Sequence, residues 1–283
     1  MKTVAYVGGG FVAPESAIVS LLDAGYLLGD GVFATMRAYG GVCFRADRHL
    51  AELARGAAVL GIDVPMDVAS IAALANDAAR RTEEPDAYVR VTLTRGAPGA
   101  RPTLSVLARA MDVPSARDYA HGVAVVTVTP RRIPPACLDG SIKTTSYAVQ
   151  VLARREVQTK NAAEGIQLAI DGALACGTMS NLFVISKGAL LTPSLESGCR
   201  AGVTRAAVLE LAPRLFERVR EERLDPSILD DADEAFLTST RVECLPIAAV
   251  DGRPVGGGRR PRFERTHALH DALVSLVRAE TAS

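Results

Sequence analysis

Strand-like and helix-like segments alternate along these 283 residues, which predicts an α/β fold. Val32–Tyr39 reads as a strand ended by Gly40-Gly41, and Leu50, Leu53, Ala57 and Leu60 then recur at helical spacing from Asp47 to Leu60. The spacing predicts a second helix over 66–81, followed by strands over Tyr88–Thr94 and Thr103–Arg109. Val113-Pro114-Ser115-Ala116-Arg117-Asp118 is polar and aperiodic, the signature of a linker. The expected division is therefore a small α/β domain over 1–113, a linker over 114–120 and a larger α/β domain over 121–283.

Beyond the linker, Gly122–Thr129 is a β-branched run that predicts a buried strand. A loop with Pro134-Pro135 follows, then SIKTTSY at 141–147 and a helix to about Lys160. Strands are expected at 165–170, 173–176 and 182–186, with turns at Asp171-Gly172 and Lys187-Gly188. On the middle one, period two puts Leu174 and Cys176 on one face. RAGVTRAAVLELAPRL, 200–215, predicts a helix that Thr204 can cap. A strand at 235–239 runs into Thr238-Ser239-Thr240-Arg241, a hairpin turns at Asp251-Gly252, and a helix spans about 263–279. Gly256-Gly257-Gly258 reads as a local loop.

Lys+Arg and Asp+Glu number 32 each, so the overall balance favours neither nucleic acid nor an acidic membrane surface. No apolar run reaches the roughly 18 residues of a membrane span, and MKTVAYVGGGFVAPE has no basic segment ahead of a long apolar one. Five widely spaced cysteines fit reduced thiols in a cytoplasm. Without a CxxC, and with only His267 and His270 close together, no metal site is expected.

Several residues converge on anion binding. Gly202-Val203-Thr204 opens a helix, where N–H groups and the positive dipole end point outward. Ser239 and Thr240 add hydroxyls at a strand end. The competing reading is a plain cap and a plain turn. Lys143, between a proline-rich loop and an apolar helix, is a candidate nucleophile or general base, against the alternative of a solvated surface lysine.

SLLDAGYLLGDGVFATMRAYGG (20–41), FRADRHLAEL (44–53), VTLTRG (91–96), SIKTTSY, DGALACGTMSNLF (171–183), LLTPSLESGCRAGVTRAAVLELA (190–212) and ADEAFLTSTRVECLPIAAVDG (232–252) together resemble, in order, the class IV aminotransferases. These are the fold type IV enzymes of pyridoxal phosphate (PLP), among them branched-chain aminotransferase, D-amino acid aminotransferase and aminodeoxychorismate lyase. The resemblance implies two α/β domains, a homodimer and an active site between the domains. It also implies that Lys143 matches the Schiff-base lysine and that Val203, Thr204 and Thr240 match the phosphate cup. Arg95 and Arg101 fall in the loop that resembles the substrate-carboxylate region.

Departures from this pattern stand at four positions. Cys176 takes the place of a glutamate that keeps the pyridine nitrogen protonated, a task for which a thiol is a weak partner. Cys176 reads equally as a small apolar filler. Glu52 replaces an arginine that clamps the phosphate. Unit like charges 4 Å apart repel by about 4 kcal/mol at an effective dielectric of 20, although Arg48 and Arg55 share its helix face and can offset it. Arg200 replaces a leucine that packs on the ring, and Arg241 stands where a small hydroxyl residue is common. The expectation is an enzyme acting on a small anionic, amino-acid-like or carboxylate metabolite, with PLP binding weak or absent. In it Lys143 serves as nucleophile or acid/base, and Arg200 and Arg241 bind the substrate anion with the cup. The alternatives are a PLP-dependent aminotransferase or lyase and a non-catalytic ligand-binding homologue.

Overall fold

The computed structural model describes residues 2–257 and 262–282, so Gly258 of the glycine loop lies outside the described residues. The chain divides into two compact units: Met1–Asp112 with Ser141–Tyr147 and Val277–Ser283, and Val113–Gly140 with Ala148–Leu276. The segment carrying Lys143 thus belongs with the N-terminal unit, although it follows the first boundary in sequence.

The first unit is built from β1 (Val4–Val7), β2 (Gly10–Val12), α1 (Ala24–Leu28), β3 (Gly31–Tyr39), β4 (Val42–Cys43), α2 (Ala46–Leu60), α3 (Val68–Thr82), β5 (Asp86–Thr94) and β6 (Thr103–Ala110). The strands form an antiparallel six-stranded sheet, β2-β1-β6-β5-β3-β4. One face is apolar: Val32, Ala34 and Met36 lie beside Val89, Val91 and Leu93, and pack with Leu50 and Leu53 of α2 and Ile71 and Ala75 of α3. Each large side chain buried there contributes roughly 1.5–3 kcal/mol. The other face carries Phe33, Thr35 and Arg37 of β3 and Tyr88, Arg90 and Thr92 of β5, as strict alternation demands. The β1–β2 hairpin, turning on Gly8 and Gly9 at positive φ, was not expected from the sequence.

A single buried carboxylate organises the entry to β3. Asp23 caps α1 by accepting from Gly25 N at 2.7 Å, and also takes the hydroxyls of Thr94 and Thr103, each at 2.8 Å. Gly25 is required here, because a Cβ would stand 2.2 Å from Thr94 Cγ2. The surrounding segment is otherwise apolar yet exposed, with Ile18, Leu21, Leu22, Tyr26, Leu27 and Leu28 all in solvent.

The second unit comprises α4 (Ala116–His121), β7 (Val123–Thr127), α5 (Ala148–Thr159), β8 (Glu164–Leu168), β9 (Leu174–Gly177), β10 (Asn181–Ser186), β11 (Ala189–Pro193), α6 (Val203–Leu211), β12 (Arg218–Glu222), β13 (Glu234–Ser239), β14 (Glu243–Val250), β15 (Arg253–Pro254) and α7 (Glu264–Thr281, whose last turns fall in the first unit). Its strands follow the order β12-β11-β10-β13-β14-β7-β8-β9, with β15 on β14. Pairing is mixed, parallel at β11/β12, β14/β7 and β7/β8. Strand β12 reads RVREE, a charge-rich sequence at one end of the strand order that shows no apolar alternation.

Three local expectations are corrected. The stretch expected as linker is helical, because Ser115 and Asp118 cap one another reciprocally and start α4. Thr204 is not the cap of α6; Gly202 occupies that position, with no side-chain bond. Leu174 and Cys176 lie on opposite faces, because Leu168 pairs with Leu174 while Gln167 pairs with Cys176. The extra residue, Ala175, is a β-bulge that breaks the period of two.

Replacing Asp23 by Ala should cost about 3 kcal/mol, since three donors lose one buried acceptor. Urea unfolding measures this, and a loss under about 1 kcal/mol would show that Asp23 does not organise the segment.

Candidate active-site residues

In the first unit, residues 141–147 lie along β3 as a short extra pairing. Phe33 N donates to Lys143 O at 2.8 Å, Thr145 N donates to Gly31 O at 2.9 Å, and Val32 bridges Thr144. Ile142 and Thr144 turn inward and are buried, so Lys143 between them turns to the other side and is half-buried. Its Nζ lies 4.9 Å from the Phe33 ring centroid. Arg90 Cζ is 3.6 Å from the same centroid, and Arg90 Nε donates to Thr92 Oγ1 at 3.0 Å. Two cations therefore face one ring, each favoured there by its quadrupole. Phe33 and Arg90 were absent from the sequence reading. The signal that finds them is the polar half of the alternation in β3 and β5.

On α2, His49 is buried, Glu52 half-buried, and Arg48 and Arg55 exposed. Arg95 is engaged locally: it pairs with Asp30 at 2.5 Å and donates to Leu60 O at 2.6 Å and Gly61 O at 2.9 Å. It thereby closes the C-terminus of α2, where orphan carbonyls and the negative dipole end favour a guanidinium. Arg101 is exposed in the loop after Gly96.

In the second unit Asn181 joins two of the segments that carry the cup residues. Asn181 of β10 pairs across from Thr238 of β13, and its Nδ2 donates to Arg200 O at 2.7 Å. Its Oδ1 stands where a Cβ on Gly202 would be, 2.4 Å away, so glycine is needed for the chain to pass. One asparagine thus brings the end of β13 to the start of α6, with Val203 and Thr204 buried in the first helical turn. Ser239 Oγ accepts from Arg241 N at 3.2 Å and Val242 N at 3.3 Å, which turns the chain and leaves Thr240 at the tip. Arg241 is exposed, and its charge acts on Asp118. Arg205 is buried and ties α6 to Pro193 O at 3.1 Å and Glu221 at 2.5 Å.

Cys176 is buried in a small cluster with Ala169, Ala175 and Cys199. Burial pushes its thiol up to about 12, against a lowering influence from Arg132. It is a neutral S–H at physiological pH. Across from it, Gln167 is fully buried; its Nε2 donates to Pro130 O at 3.2 Å, which leaves Oε1 as an acceptor without a partner among the described residues. The carboxylate of Glu164 is committed elsewhere, to Gly165 N of its own strand and to Thr178 Oγ1 and Met179 N at the β9–β10 turn. Among the described residues no group of three His, Cys, Asp or Glu could hold a metal, and no helix is long and apolar enough to cross a membrane.

Residues 31–250 match the family described as amino-transferase class IV. The D-alanine aminotransferase of Bacillus licheniformis is 29% identical over 272 residues, covering 93% of each chain. The branched-chain amino acid aminotransferase of Escherichia coli superposes with a TM-score of 0.90 at 27% identity, over 98% of this chain and 95% of that one. The T.th. branched-chain amino acid aminotransferase, solved with N-(5'-phosphopyridoxyl)-L-glutamate, superposes at 0.87 with 25% identity, over 98% and 94%. Measured against such a coenzyme, the amine and the α6 cup offer suitable chemistry. At two further positions that the resemblance implies, Cys176 offers a buried neutral thiol, which cannot hold a pyridine nitrogen protonated, and Glu52 a carboxylate rather than a phosphate clamp.

Because the folded thiol of Cys176 stays protonated while an unfolded one ionises near pH 8.5, its contribution to stability is complete below about 8.5 and lost as pH rises toward about 12. Denaturant titrations should show this loss, and Cys176→Ala should shrink it. An alkaline slope unchanged in the variant would contradict the burial argument.

Proposed function

The chain belongs to the class IV aminotransferases, and from that premise we propose an enzyme of a small anionic, amino-acid-like metabolite that binds PLP weakly or not at all. Lys143 is its amine nucleophile or acid/base. The observation that carries this reading is the pairing of Lys143 and Arg90 on the Phe33 ring. An amine is held at the surface of a polar sheet face beside a guanidinium, which attracts an anionic substrate to the amine. In its unprotonated form that amine can add to a substrate carbonyl carbon and, with loss of water, form an imine. The α6 cup, with Thr204, Thr240 and the nearby Arg200 and Arg241, offers a second anion a helix N-terminus and hydroxyl donors. Cys176 and Glu52 favour the reading with weak coenzyme binding over a conventional aminotransferase.

The second reading is a PLP-dependent aminotransferase or an aminodeoxychorismate lyase-type enzyme. The amine and the cup favour it, since a phosphate and an aldehyde would both find partners. A non-catalytic ligand-binding homologue leaves the placement of Lys143 without a purpose.

The exposed apolar strip supports a homodimer. Ile18 is 78% and Leu28 76% exposed, and five further large side chains between them are also in solvent. Its one charge, Asp23, is turned inward, so the strip presents an uncharged apolar surface to a second copy. Five free cysteines fit a reducing cytoplasm.

The purified protein should be colourless and gain no phosphopyridoxyl group at Lys143 on borohydride reduction with added PLP. Cys176→Glu with Glu52→Arg and Arg200→Leu should raise PLP affinity at least about tenfold, roughly 1.4 kcal/mol. A yellow protein bleached by borohydride, with the adduct mapped to Lys143, would establish the second reading. Sedimentation should show a dimer that Leu21→Glu with Leu28→Glu converts to monomer; a dimer that survives both changes uses another surface.

A further inference from the structure

The hairpin that presents Thr240 and Arg241 closes on a strained residue. Ser239 pairs with Glu243 across the intervening loop, and Glu243 adopts the left-handed conformation with φ 51°. Glycine takes that conformation freely, whereas the Cβ of a glutamate opposes it. Glu243 is also buried, a costly place for a carboxylate that nothing answers.

The answering groups come from α7 and α4. His270 Nε2 lies 3.8 Å from Glu243 Oε2. The His270 ring packs 4.8 Å from that of Tyr119, and the Tyr119 hydroxyl donates to Val242 O at 3.2 Å. His267 Nε2 donates to Tyr119 O at 2.9 Å, which links the two helices. The next loop residue, Arg241, faces Asp118. That carboxylate is held below its usual range, first by the Ser115 hydroxyl and less strongly by Arg117 and Arg241. The hairpin is thus gripped at Val242 and Glu243, the residues that follow Thr240 and Arg241.

We propose that Glu243, His270 and Tyr119 are positioning residues, which hold the 239–243 hairpin so that Thr240 stands at the anion cup of α6. A carboxylate kept where glycine would relieve strain points to use of the carboxylate. The proposal rests on the anion-binding reading of the cup and identifies what sets its affinity.

Sulfate is the probe, since it stays dianionic from pH 5 to 9; calorimetry on the full chain measures its binding. Glu243→Gly should hold or raise the melting midpoint, because strain is released, yet weaken sulfate about fivefold, the loss of one hydrogen-bond-sized interaction. Tyr119→Phe should weaken it in the same direction. His270→Gln should also weaken it, with the melting midpoint held. Unchanged sulfate binding in Glu243→Gly overturns the proposal, as does a large drop in its melting midpoint or unchanged sulfate binding in His270→Gln. Sulfate binding by the parent that is indifferent to both Thr204→Val and Thr240→Val, or absent altogether, overturns the cup and the proposal with it.

Discussion

Two backbone hydrogen bonds decide where Lys143 stands in the first unit. Phe33 N to Lys143 O and Thr145 N to Gly31 O lay a seven-residue stretch against β3, although more than a hundred positions separate them in sequence. Once that register is set, alternation does the rest. Ile142 and Thr144 must turn into the apolar side, and Lys143 must turn out over Phe33. A slip of one residue would bury the lysine and expose the isoleucine, which is why register is strongly specified beside a core. Arg90 reaches the same ring from β5 for the same reason, being on the polar side of a strand whose other side is entirely core.

The second unit solves a related problem with side chains rather than register. Three of its polar side chains are anchored where strand ends, loops and α6 meet. Asn181 holds Arg200 O, Arg205 holds Pro193 O and Glu221, and Glu164 holds the β9–β10 turn. Two of these anchors fix the segments that flank the first turn of α6. Cys176 stands apart from that pattern. Its thiol is stabilised as a neutral group by burial, so the sheet face it shares with Gln167 holds no formal charge from either residue. A carboxylate there would need the counter-charge or donors that Glu164 obtains at its turn.

Much of the architecture was legible. The apolar positions of α2 and the alternation of β3 and β5 are local patterns, and their periods survive into the structure because one face of each element is buried. The capping box at Ser115 and Asp118 was also written locally, in a stretch too short for periodicity to reveal a helix. β12 was hidden for a different reason: its charges suit exposed backbone at a sheet margin, so no apolar signal marks it. Of the site, the cup motif and Lys143 were visible as residue types in a setting. Phe33 and Arg90 were not, because their significance lies in a ring shared with a distant lysine.

The residue sequence alone determined the class of fold, the family resemblance and the exchanges at positions 52, 176, 200 and 241. These are matters of composition, order and spacing, which exist before any contact forms. Tertiary structure decided which side of β9 receives Cys176, because a bulge is a property of two strands in register and not of one. It also assigned Arg95 to the end of α2 and Ser239 to its own turn, since a polar group bonds to the nearest unsatisfied partner, and distance in space is known only once the chain has folded.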